Sequence, residues 1–131
     1  MNENTQQSDR FIELTQEGIK YSINEEKNTA SVLRILISGD IIIPRSIYYN
    51  SKEYHVTIIC SRAITYKKKD ISIQFPEDSC LFKIEKYAIS NCVIKSISLP
   101  ASVSELETDW IYDVFLYEIK VSPANPYFKM Y

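Results

Sequence analysis

His55 is the only histidine, and Cys60 follows it by five positions. These are the residue types from which a thiol nucleophile and its general base are made. Such a pair needs the imidazole within hydrogen-bond reach of the sulfur and a third group to orient it, and the sequence around these two supplies neither. The three cysteines, Cys60, Cys80 and Cys92, are odd in number, widely spaced and without a C-x-x-C pair. Neither a zinc site nor a disulfide framework is expected, and reduced thiols are the simplest reading. Carboxylates come in neighbouring sets, Glu77 with Asp78 and Glu105 with Glu107. None lies in a phrase that would bury it and raise its pKa for acid catalysis, so they read as surface charge at turns. Glycine occurs only at Gly18 and Gly39. Loops that cradle phosphates need glycine where the backbone approaches the ligand, which excludes ATP and dinucleotides. No enzyme, cofactor or metal site is expected.

The elements that hold these residues are mostly β. The chain has 131 residues, enough for one domain with a substantial core. It is 45% hydrophobic and 24% charged with both signs mixed, the composition of a folded chain. Fifteen basic residues against seventeen acidic ones leave a net charge of -2, so no overall field recruits nucleic acid. The run Lys67-Lys68-Lys69, followed at once by Asp70, reads as a solvated corner. Residues 1–10 are polar and read as a disordered leader without the apolar segment of a signal peptide. No apolar run is long enough to cross a bilayer as a helix, so membrane insertion is not expected. Abundant isoleucine and tyrosine with scarce glycine favour strands. The segment 11–37 reads as two or three short strands broken at Gly18 and near Glu25 to Asn28, an N-terminal hairpin cap.

From residue 38 onward one phrase recurs, and internal repetition fixes architecture ahead of local propensity. Leu81, Ile84 and Ala88 precede Ile94, Ile97, Leu99 and Pro100. Val56, Ile59 and Ala63 precede Ile73, Phe75 and Pro76. Val103, Leu106 and Trp110 precede Leu116, Ile119 and Val121. An earlier, partial copy ends in Ile41, Ile43 and Pro44, and a stretch with hairpin-turn chemistry, Tyr49 to Tyr54, separates it from the next. The prolines lack an amide hydrogen and so mark where a strand stops and the chain turns a corner. Pro76 and Pro100 lie 24 residues apart, and a phrase of the form L-x-x-I-x-L at this period falls in the leucine-rich-repeat range. One such turn cannot bury its apolar side chains without a neighbour above and below, so the expectation for 38–131 is a solenoid of about three turns, and 11–131 is one domain.

These phrases, F-P-E-D-S-C-L-F-K-I-E-K-Y-A-I, I-K-S-I-S-L-P-A-S-V-S-E-L and I-I-I-P-R-S-I-Y-Y-N-S-K-E-Y-H-V-T-I-I, resemble those of the BspA-like leucine-rich-repeat proteins. The similarity runs from about Gly18 to the end. Ile64 and Ile89 stand where that family commonly has phenylalanine, and Trp110 replaces the alanine of the two earlier copies. The segment from Val121 to Tyr131 reads as lacking a polar cap. The resemblance implies a non-catalytic, adhesin-like interaction module, since members of the family look like surface or secreted antigens. It points to the cell surface, whereas the polar leader and unpaired cysteines point to the cytoplasm.

The expected partner is a protein or a glycan, met by outward-pointing residues that stacked strands align on one face: Ser72, Gln74, Ser96, Ser98, Glu118 and Lys120. A merely solvated sheet would have the same residues. Tyr48, Tyr49, Tyr54, Tyr66, Tyr87, Tyr112 and Tyr117 are a second candidate set, because tyrosine brings amphipathic area at low entropic cost. Packing at turns and strand edges is the plainer reading for most of them. Self-association through the last turn is a related expectation, and a scaffolding segment of a larger intracellular repeat array is the alternative function.

Overall fold

The computed structural model describes residues 11–65 and 70–128. The expected leader at 1–10, Tyr66 and the three lysines that follow it lie outside the described residues. Every regular element among the described residues is a strand. The chain begins with an antiparallel meander of β1 (Phe11–Gln16), β2 (Ile19–Asn24) and β3 (Thr29–Ile35). Glu17 and Gly18 join β1 to β2 with φ of 49° and 80°, the two positive angles that a tight hairpin turn requires. In the next turn the Asn24 side-chain oxygen accepts from the Lys27 amide at 3.0 Å, and Asn28 takes the left-handed conformation. Alternation along β2 buries Ile19, Tyr21 and Ile23 against the rest of the protein.

β3 is also the first strand of the solenoid, since its other edge pairs in parallel with β6 (Lys52–Ile59). One sheet then continues from β6 to β9 (Lys83–Ile84) and β11 (Glu105–Leu106). The second sheet stacks β4 (Gly39–Ile42), β8 (Ile71–Gln74), β10 (Ile89–Leu99) and β12 (Ile111–Leu116) in parallel. The short strands β7 (Ile64–Thr65) and β13 (Ile119–Val121) also pair with β10. The solenoid therefore has four levels, because the partial copy ending at Pro44 completes a turn together with β3. Strands occupy both sides of the solenoid, with Ala63, Ala88 and Trp110 at the corners between the sheets. The insertion before β6 is a hairpin: β5 (Ser46–Tyr49) runs antiparallel to β6 through Asn50 and Ser51, with φ of 52° and 63°.

Stacking aligns the repeated phrases into columns. Ile41, Ile73, Ile97 and Ile119 pair from level to level, and the first three are at most 2% exposed. On the opposite sheet Val32, Ile59, Ile84 and Leu106 form the facing column. Each buried isoleucine contributes about 1.5–3 kcal/mol relative to exposure, and only neighbouring levels provide that burial.

Two substitutions test this frame. Ile97→Asp places a carboxylate at the centre of the isoleucine column and should abolish cooperative unfolding in urea, read by circular dichroism. Gly18→Ala meets both a φ of 80° and the Ile37 side chain, whose Cγ2 the added Cβ would overlap. It should lower stability by about 1–3 kcal/mol in the same experiment.

Candidate functional site

The outward face of the second sheet carries all six expected contact residues, but they are not equivalent. Ser72 pairs with Asp40 on one side and Ser96 on the other. It is only 5% exposed, and its hydroxyl oxygen lies 3.3 Å from that of Ser96. Ser72 therefore stiffens the face and offers little to a ligand. Gln74 and Lys120 are exposed and Ser98 is half-buried beside Lys120, its partner in the ladder. Glu118 is exposed, its backbone carbonyl accepts from the Ile97 amide, and its carboxylate lies 3.9 Å from the Lys120 ammonium. Such an exposed pair stabilises by at most about 1 kcal/mol, which leaves both side chains free to rearrange.

Three of these residues, Ser98, Glu118 and Lys120, rim a groove of about 900 Å³ where successive chain levels leave the sheet. Its apolar floor comes from Phe75, Pro76, Leu99, Pro100 and Val121. The prolines that end the strands thus do more than stop pairing, since each sets a rigid apolar corner at one level of the groove. The combination of apolar floor and sparse polar rim is typical of recognition clefts.

The tyrosines divide. Tyr54 is buried, Tyr49 and Tyr87 are half-buried, and Tyr48, Tyr112 and Tyr117 are exposed at 61%, 51% and 72%. The chemistry weighed at His55 and Cys60 does not assemble between them. Both lie on one extended run of chain, which sets them roughly 15 Å apart. The His55 ring instead approaches Glu53, with Nε2 3.7 Å from Oε2. Burial raises the Cys60 and Cys92 thiols to about 11, so both stay protonated and unreactive at neutral pH.

Polar groups at the corners tie one level to the next. The Glu85 carboxylate accepts from the Ser61 amide at 3.0 Å, and one level on the Glu107 carboxylate accepts from the Lys86 amide at 2.9 Å. Sequence reading passed over this repeat of role because Glu107 was seen only as half of an acidic pair. Asn125 was missed too, in a segment expected to lack a polar cap. It is 1% exposed, its Nδ2 donates to the carbonyls of Pro100 and Val103, and its Oδ1 accepts from the amides of Tyr127 and Phe128. The signal was its register: it falls in the corner position that Val103 holds one level earlier.

Replacing Asn125 with alanine removes all four bonds and leaves two buried carbonyls without these donors. Stability should fall by about 2–4 kcal/mol in urea unfolding. The amide of Lys86 and the ammonium of Lys83, 3.3 Å away, hold the Glu107 carboxyl below its ordinary value of 4.5. A depressed folded pKa stabilises above the unfolded value and is lost as pH falls through the folded one. Glu107→Gln should accordingly lower the melting temperature at pH 7, and its melting curve should converge with that of the parent protein in acid, well below pH 4.5.

No protein-family model matches the sequence, and no curated protein matches it. Two solved structures share its fold. One is the pneumococcal vaccine antigen PcpA, 19% identical, with a TM-score of 0.55 over 86% of this chain and 38% of that one. The other is a leucine-rich cell surface protein of Faecalibacterium prausnitzii A2-165, 18% identical, with a TM-score of 0.50 over 82% of this chain and 32% of that one. The chain spans well under half the length of either, and identities this low speak to fold alone. By fold the chain is a leucine-rich-repeat β-solenoid.

Proposed function

We propose that this chain is a non-catalytic interaction module that binds an extended segment of a partner protein in the groove at the strand ends of the second sheet. The observation that carries this reading is the groove itself, an apolar floor of proline corners rimmed by Ser98, Glu118 and Lys120. Three levels each contribute to it, so an extended chain crossing the levels meets a similar corner at each step. Both solved proteins of this fold fit the reading, one described as a vaccine antigen and the other as a cell surface protein. Their descriptions also favour a surface location for this chain.

A scaffolding segment of a larger repeat array is the second reading. It is favoured by the last level, where Leu116, Ile119 and Val121 stay half-buried although their partners Ile94, Ile97 and Leu99 are at most 2% exposed. Another level, or the last turn of a second copy, would cover them.

Selection of a displayed random-peptide library against the full chain separates the two. Under the groove reading, enriched peptides lose at least about tenfold in affinity against Ser98→Arg and Lys120→Glu, while Glu13→Gln on the far sheet leaves binding unchanged. Failure to enrich any peptide, or binders indifferent to both groove variants, would favour the scaffold. Labelling intact source cells with a membrane-impermeant reagent tests the location, and a protein labelled only after lysis would remove it from the surface.

A further inference from the structure

The corner at the opposite end of the same strands holds a cluster that the groove does not use. Arg62, Tyr87 and Asp109 occupy the same place on successive levels, all left-handed with φ of 59°, 60° and 57°. The Arg62 amide donates to the Tyr87 carbonyl and the Tyr87 amide to the Asp109 carbonyl, so the column is fixed by the backbone. Two cations gather on the Tyr87 ring, with Lys86 Nζ 5.0 Å and Arg62 Cζ 5.7 Å from its centroid. The Tyr112 ring packs edge-on against it at 5.2 Å and 69° and is itself half exposed. Arg34 joins from the preceding level, donating from Nη1 to the Arg62 carbonyl at 2.8 Å.

The cations of the described surface fall into two sets. Lys20, Arg45, Lys83 and Lys120 each lie within 4 Å of a carboxylate. Among the described residues Arg34, Lys52, Arg62, Lys86 and Lys95 have no such ion pair, and of these Arg62 and Lys86 are the two that share one aromatic ring. Cations held on an aromatic ring keep their charge and part of their hydrogen-bonding capacity for an anion. Next to them Thr65, Ser90 and Tyr112 stand in one ladder rung, with Ser90 buried in the middle and its hydroxyl 3.4 Å from that of Thr65.

We infer that this corner, built on Arg62, Lys86, Tyr87 and Tyr112, binds a carboxylated sugar, that is, a glycan containing uronic or other acidic residues. Such a sugar carries a carboxylate for the paired cations and an apolar C–H face for the Tyr112 ring. An acidic peptide has the carboxylate but not the rigid apolar face. A nucleic acid has stacking surfaces, but its binding rests on a broadly basic surface, and this chain has a net charge of -2.

The site is separate from the groove and is tested separately. Calorimetric titration of the full chain uses a tetragalacturonate, its carboxyl-reduced counterpart, a tetraglutamate peptide and a short single-stranded DNA. The expected result is saturable binding of the tetragalacturonate alone, weakened about tenfold or more by Arg62→Gly, Lys86→Gln or Tyr112→Ala. Glycine is the residue best suited to the left-handed angle at position 62, so this variant removes the cation without straining the corner. Lys120→Glu, a groove variant, should bind the sugar as the parent does, whatever becomes of peptide binding. No binding of tetragalacturonate by the parent chain, unchanged affinity in folded Arg62→Gly, or equal binding of the peptide or the DNA would overturn the inference.

Discussion

Each level of this protein is hydrophobic only on the side that another level must cover. Ile41, Ile73, Ile97 and Ile119 make the point in one column: burial is nearly complete through the first three and incomplete at the fourth. No single turn of the chain closes a core, so cohesion belongs to the interfaces between turns. At the beginning of the chain the β1–β2 hairpin covers β3 and presents polar residues such as Glu13 and Thr15 outward. The last level has no such cover among the described residues.

Stacking apolar columns raises a second demand, because the chain must turn between the sheets at every level and each turn interrupts the strand ladder. The protein answers by passing corner hydrogen bonds from one level to the next. In the left-handed column the amides of Arg62 and Tyr87 turn toward the carbonyls of Tyr87 and Asp109 on the following level. Glu85 and Glu107 receive amides from the level before them, and Asn125 satisfies carbonyls at the last corner. Buried polar groups left unpaired would cost about 1–3 kcal/mol each, comparable to the gain from burying one isoleucine. The corners therefore matter to the fold as much as the columns do.

Function is built on what this frame leaves outside. Two different ends of one sheet present different chemistry because they arise from different corners. Where the strands end in proline, rigid apolar steps and a sparse polar rim make a groove. Where they begin, left-handed residues carry large side chains, and cations and rings collect. The face between them is stiffened by hydroxyl pairs such as Ser72 with Ser96, which hold the two ends at a fixed separation.

The inward half of the molecule was legible in the order of residues alone. The repeated apolar phrases, the prolines that end them and the turn residues at Gly18 and at Asn50-Ser51 specify which side chains must be covered, since burial follows a local period. The outward half was not. Ser72 looked like a contact residue and is buried, whereas Arg62 and Lys86 were not singled out and Tyr87 stood only among seven tyrosines. Their meeting depends on register between levels, and register is adjusted where one strand carries an inserted residue, as Lys95 shifts β10 against β8, or kept where both do, as Asn91 and Asp113 stand matched outside the β10–β12 pairing. A one-residue bulge hardly disturbs an apolar period but decides which exposed side chain faces which. The sequence by itself determined the column of burial. Which polar and aromatic groups share a corner was decided only when the levels stacked.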